Sequence, residues 1–164
     1  MQYEDYMKIL NNVGYKLKNG IFVDKKKGPK CNNEVFQDLV ERQQNNEKLS
    51  EKEYNLYGYL MRSLVHIVLN NSKFKYQEPH IKEECELEAY CCLCDQLLSH
   101  FDKNRGSSAY SYAFRLSYTA MIHVLEKMNK RKELEEKLIE EYMDSMNYTT
   151  GEKVEGSWSD FLTE

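Results

Sequence analysis

The chain has 164 residues, of which 41% are hydrophobic and 30% charged, with a formal net charge of -4. That length holds one domain plus tails, and two Pro and seven Gly exclude a turn-rich β sandwich. A net negative chain is not a strong unaided binder of nucleic acid, and no apolar run approaches the ~18 residues of a membrane span.

Residues 3–10 are expected to form a short helix. Residues 13–31 read as an extended basic segment: Lys16, Lys18, Lys25, Lys26, Lys27 and Lys30 face only Asp24, and Gly28-Pro29 breaks any regular element. Asn32 or Asn33 can cap a helix carrying Val35, Phe36, Leu39 and Val40 at helical spacing. The polar run RQQNNEKL ends it.

Ser50 and Glu53 form an S-x-x-E capping box. Tyr57, Leu60, Met61, Leu64, Val65 and Val68 then repeat with helical period to about Leu69. NNSKFKYQEP reads as a loop with Pro79 as its stop. The third strong helix is expected at 81–101, with Leu87, Cys91, Cys94, Leu98 and Phe101 on one buried face. Glu84, Glu88, Asp95 and Ser99 lie on the other.

KNRGSS is a turn, and Ser107 or Ser108 caps a helix over 109–128 with Ala113, Leu116, Ala120, Val124 and Met128 as its buried stripe. Arg115, Thr119, His123 and Lys127 step by four along another face. After MNKRK, residues 133–146 continue as a helix with Leu134, Leu138 and Tyr142 aligned. Residues 147–157 are polar and read as flexible, and the chain ends in SWSDFLTE. No internal repeat or β-rich stretch is evident. The expected fold is all-α: a basic extension (1–31), a compact helical domain (32–130), and an acidic helix with a flexible tail (131–164).

Charge alternates in blocks. Residues 81–102 hold six acids and one Lys, 103–132 hold seven Lys or Arg against Glu126, and 133–164 hold ten acids and two Lys. Such blocks suit a protein that touches partners of different sign, and they also suit ordinary solvated helices.

Five cysteines (Cys31, Cys85, Cys91, Cys92, Cys94) and His80 invite a zinc reading. Structural zinc usually takes paired knuckles on turns, whereas four of these cysteines lie within a helical pattern, so no metal or other cofactor is expected. His66, His80, His100 and His123 sit in no nucleophile motif, and there is no phosphate loop or H-E-x-x-H. No enzymatic role is expected, and the protein reads as soluble and cytoplasmic with reduced thiols.

What remains is FDKNRG at 101–106 followed by SSAYSYAFRLSYTAMIHVLEKM. Spacing gives helix, tight turn, helix. The second helix interleaves aromatics (Tyr110, Tyr112, Phe114, Tyr118) with bases (Arg115, Lys127, Lys130, Arg131). Aromatic faces stack on unpaired bases while Lys and Arg neutralise phosphates, so the pattern suits single-stranded DNA; it also suits a core helix with a polar face.

At these residues the sequence resembles region 2 of bacterial σ factors: Phe101-Asp102, a turn ending in Arg105-Gly106, and a helix beginning around Tyr112-Ala113. Asp102 would cap the turn, and Gly106 would permit a left-handed backbone. LVHIVLN at 64–70 is similar to the family's helix of like pattern. The chain resembles most closely the late σ factors of T-even-type bacteriophages. NNEVFQDLVE at 32–41 is similar to their first helix, and SWSDFLTE to the tail that binds the phage sliding clamp. Where primary σ factors place a Trp pair after Tyr-Ala, this chain has Phe114, Arg115 and Leu116. Residues 1–31 fall outside the resemblance.

The resemblance implies a promoter-specificity factor in the cytoplasm of an infected bacterium, with no bond-making chemistry. Glu84, Glu88, Asp95 and Ser99 would meet a coiled coil on the host core RNA polymerase. Tyr110, Tyr112, Arg115, Tyr118, Thr119, His123, Lys127, Lys130 and Arg131 would contact an AT-rich promoter element as it opens. Trp158, Asp160, Phe161 and Leu162 would bind the sliding clamp, and a late co-activator is a further possible partner.

Overall fold

In the computed structural model, residues 1–26 and 28–151 are described, with side chains described to Met146. The elements run α1 (Tyr3–Asn12), β1 (Lys16–Lys18), β2 (Ile21–Val23), α2 (Asn33–Gln44), α3 (Glu51–Leu69), α4 (Ser72–Lys75), α5 (Pro79–His100), a 3-10 turn (Lys103–Arg105) and α6 (Ala109–Gly151). The fold is all-α apart from one small hairpin. The chain divides into a unit from Met1 to Leu125 and a second from Glu126 onward.

The core of the first unit is built where the periodicity is clearest. Val35, Phe36, Leu39 and Val40 of α2 are fully buried, as are Leu60, Leu64, Val65 and Val68 of α3. Asn32 caps α2 by accepting the Val35 N–H at 3.0 Å. Ser50 and Glu53 form the reciprocal box at the start of α3, with the Ser50 N–H donating to the Glu53 carboxylate at 2.8 Å.

Four expectations are corrected. Residues 13–31 are not simply extended. β1 and β2 pair antiparallel, Lys16 opposite Val23 and Lys18 opposite Ile21. Asn19 and Gly20 both have positive φ (51° and 77°), the two-residue turn whose twist matches that of the strands it joins. The Phe22 N–H donates to the buried Ser63 hydroxyl at 2.7 Å, fixing the hairpin on α3.

The segment 70–79 is not all loop. Asn71 caps the single turn α4, which buries Phe74, and Pro79 opens α5 as its first residue, where its missing N–H costs nothing.

The buried face of α5 is the third correction. It carries Ile81, Cys85, Ala89, Leu93 and Leu97. Of the residues expected there, only Phe101 is buried; Leu98 is half-buried, and Leu87, Cys91 and Cys94 are exposed. Apolar residues surround α5 on all sides, so periodicity selects no face. Packing does: the Cys85 thiol sits 3.8 Å from the Met121 carbonyl of α6, and Gly58 of α3 lies 3.6 Å, measured from a Cβ placed on it, from the Tyr90 hydroxyl.

The fourth is α6. No break occurs at MNKRK, because nothing in that run opposes a helix: it has neither Gly nor Pro, and Met, Lys and Arg are good formers. Ala109, Ala113, Ala120, Met121 and Val124 are buried; Leu116 and Met128 are half-buried.

Candidate functional site

The turn between α5 and α6 is held from both sides. Asp102 accepts the Asn104 N–H at 2.9 Å and pairs with Arg105 at 3.6 Å. Gly106 takes the left-handed conformation at φ 75°. Ser108 then caps α6, accepting the Ser111 N–H at 3.1 Å.

The second support comes from α2 and is invisible in the sequence. Gln44 donates to the Leu98 and Phe101 carbonyls at 2.9 and 2.7 Å, capping the end of α5. Gln37 accepts the Ala109 N–H at 2.5 Å, capping the start of α6. Between them Glu41 meets Lys103 at 3.8 Å. One row of α2 thus fixes the two helix ends that the turn joins.

That turn sets the aromatics of α6. Tyr112 packs on the buried Phe101, ring centroids 5.9 Å apart, and the Arg115 guanidinium lies 6.0 Å from the Tyr112 ring centre. Tyr118 meets the buried Phe74 edge-on at 5.3 Å, and Tyr110 pairs with Phe114 at 6.3 Å. Tyr110, Tyr112 and Tyr118 are therefore half-buried, each with one side committed to packing. The Tyr110 hydroxyl has its pKa raised by burial, with smaller through-space contributions from Cys31 and Tyr15. Arg115, Thr119 and His123 form an exposed row. Lys127, Lys130 and Arg131 belong to the second unit and are exposed there.

Glu84, Glu88, Asp95 and Ser99 form an exposed row on α5. Ser99 turns back on its own helix, donating to the Asp95 carbonyl at 3.1 Å, so the open acceptors are the three carboxylates. The exposed Leu87, Cys91 and Cys94 flank them, with Leu87 66% exposed. The surface is thus acidic and apolar at once. Beside it, a depression of about 450 Å³ is lined by Arg62, Glu83, Glu86, Leu87 and Tyr90. Glu86 meets Arg62 at 3.5 Å and His66 at 3.2 Å.

Among the described residues, no group of three or more His, Cys, Asp or Glu is placed to hold a metal ion. Burial pushes the Cys85 thiol up to about 11, with Glu84 adding to the shift, which makes it a core residue and not a nucleophile. Among the described residues, no helix is long and apolar enough to cross a membrane. Trp158, Asp160, Phe161 and Leu162 lie outside the described residues. Comparison with family models, with curated proteins and with solved structures finds no match.

Proposed function

We propose that the chain is a σ-type promoter-specificity factor for phage late transcription, working on host core RNA polymerase in the bacterial cytoplasm. The observation that carries this reading is the braced Asp102–Gly106 turn leading into α6, where Arg115 stands over Tyr112 at the head of the exposed row Arg115, Thr119, His123. Those groups suit a strand whose bases have left the stack: guanidinium and aromatic edges for bases, cations for phosphates.

In this reading α5 docks on the polymerase. Its carboxylates set register against basic residues, and Leu87, Cys91 and Cys94 supply apolar contact that a merely solvated row would lack. Docking energy then holds α6 over promoter DNA that a net negative chain would bind weakly by itself. The C-terminal residues Trp158, Asp160, Phe161 and Leu162 attach the assembly to the sliding clamp, raising effective concentration at the promoter.

A second reading, a polymerase-binding regulator without promoter recognition, draws on the packing of Tyr112 and Tyr118 against Phe101 and Phe74. Run-off transcription with core polymerase on supercoiled DNA bearing phage late promoters separates the two. A discrete start site lost on Arg115→Ala supports the σ reading. Tight polymerase binding with no start site supports the regulator, and no binding at all removes both.

A further inference from the structure

The lysine-rich segment before α2 lies outside the σ resemblance, yet its described residues are hydrogen-bonded and lead into α2, which caps the head of α6. The Asp24 carboxylate accepts the N–H groups of Lys26 (2.9 Å) and Gly28 (3.3 Å), and the Lys30 N–H donates to the Phe22 carbonyl at 2.7 Å. Val23 bridges to Pro29. Phe22 and Val23 anchor the fold in the core. The backbones of Lys26, Gly28 and Lys30 are therefore hydrogen-bonded in place, next to a hairpin seated in the core.

Lys16, Lys18, Lys25 and Lys26 are exposed. Of the hairpin's lysines only Lys30 is ion-paired among the described residues, with Asp24 at 3.6 Å. One acid among so many lysines leaves a surface that gains from a polyanion.

Its position favours DNA. Lys16 stands opposite Val23, Val23 bridges to Pro29, and Lys30 and Cys31 lead directly into α2. The Lys25 side chain passes 3.8 Å from where a Cβ on Gly14 would stand, next to Tyr15. Gln37, six residues beyond Cys31, caps α6 itself. Through the strand pairing and the short run into α2, Lys16 and Lys30 are thus connected to the residue that caps the head of α6, with Lys25 against the Gly14 that precedes β1.

We propose that Lys16, Lys25, Lys26 and Lys30 bind DNA backbone phosphates beside the head of α6, so that hairpin and α6 hold one continuous stretch of DNA. The inference rests on the reading of α6 as the DNA-facing helix. Lysine suits the task, since a compact ammonium on a flexible stem meets phosphates without demanding a base sequence.

The test uses the full chain and labelled DNA with an AT-rich unpaired bubble between duplex arms, titrated by fluorescence anisotropy at several low salt concentrations. The K16Q/K25Q/K26Q variant is compared with wild type, with K16R/K25R/K26R, and with Arg115→Ala. The expected result is a log–log salt slope lowered by about 2–3 in the Gln variant, with at least roughly tenfold weaker binding. The Arg variant, which keeps the charge, retains both. Arg115→Ala weakens preference for the bubble over plain duplex.

If the Gln variant keeps the wild-type slope while Arg115→Ala weakens binding, the inference is overturned and the α6 reading stands. If the slope falls but Arg115→Ala changes nothing, α6 is not the DNA-facing helix and the shared stretch is overturned with it. Loss of binding in the Arg variant as well as the Gln variant overturns the charge argument. Capture of anionic lipid vesicles in place of DNA overturns both readings.

Discussion

Arg42 shows how one side chain can fix a fold at the residue scale. Its guanidinium donates to the Glu53 carboxylate at 2.7 Å, the Tyr6 hydroxyl at 2.8 Å, the Met1 carbonyl at 3.0 Å and Glu47 at 3.0 Å. It thereby ties the N-terminus and α1 to α2 and α3. The Arg42 side chain is 17% exposed and that of Glu53 7%. Truncating Arg42 strands a buried carboxylate, so Arg42→Ala is expected to cost about 3–5 kcal/mol in urea unfolding at neutral pH. Burial would raise the Glu53 carboxyl, but the bonds from Arg42 and Ser50 outweigh it and hold it below its ordinary range. A carboxyl depressed on folding contributes stability above its unfolded value of about 4.3, and that contribution disappears as pH falls through the folded value. Glu53→Gln is therefore expected to be less stable at pH 7 and to lose less further stability on acidification than wild type. Equal acid losses in the two proteins would show that Glu53 does not govern the acid limb. Ser117 is the opposite case: its hydroxyl is fully buried with no hydrogen-bond partner among the described residues. Ser117→Ala removes that desolvated group, and thermal unfolding is expected to show stability equal to wild type or up to about 1 kcal/mol greater.

Elements differ in how much of their geometry is local, and legibility in the sequence follows that division. The caps Asn32, Ser50, Asp102 and Ser108 bond within three residues of themselves, so their types and spacing announce them. The stripes of α2 and α3 are legible because each helix has one apolar face. α5 is not, because its core face is chosen by what α3 and α6 offer and not by its own pattern. The braces Gln37 and Gln44 reach partners 72 and 54 residues away, and nothing local distinguishes them from other polar residues of α2. The hairpin is an intermediate case: Asn19-Gly20 between Lys-Leu-Lys and Ile-Phe-Val is a strong turn signal, obscured by strands of only three residues each. At Gly106 the left-handed backbone is required and the surroundings are empty, since a Cβ there would meet nothing within 4 Å. Gly106→Ala is accordingly expected to cost about 1–2 kcal/mol from backbone conformation alone. A loss well above that in chemical denaturation would mean that the turn carries packing that the structure does not contain.

Across the whole molecule, the all-α class follows from composition and period, whereas the continuity of α6 does not, because a polar basic run reads as a break when its helix-forming propensity is ignored. The consequence for stability is uneven along that one helix. Residues 113–124 bury Ala113, Ala120, Met121 and Val124, while every side chain from Asn129 to Met146 is exposed. Leu134, Leu138, Ile139, Tyr142, Met143 and Met146 are each more than half exposed, so this stretch gains little from burial. Its helicity rests on propensity, with Glu126 and Lys130, and Glu133 and Lys137, at the i,i+4 spacing that adds at most about 0.3–0.5 kcal/mol each. Local opening of such a stretch is far easier than global unfolding. Native-state hydrogen exchange on dilute protein is therefore expected to give amides of 133–146 a protection free energy below about 2 kcal/mol, with 113–124 protected close to the global value. Equal protection in the two stretches would mean that the apolar side chains of 134–146 are covered in solution. Protection that rises with protein concentration would identify the cover as a second copy of the chain.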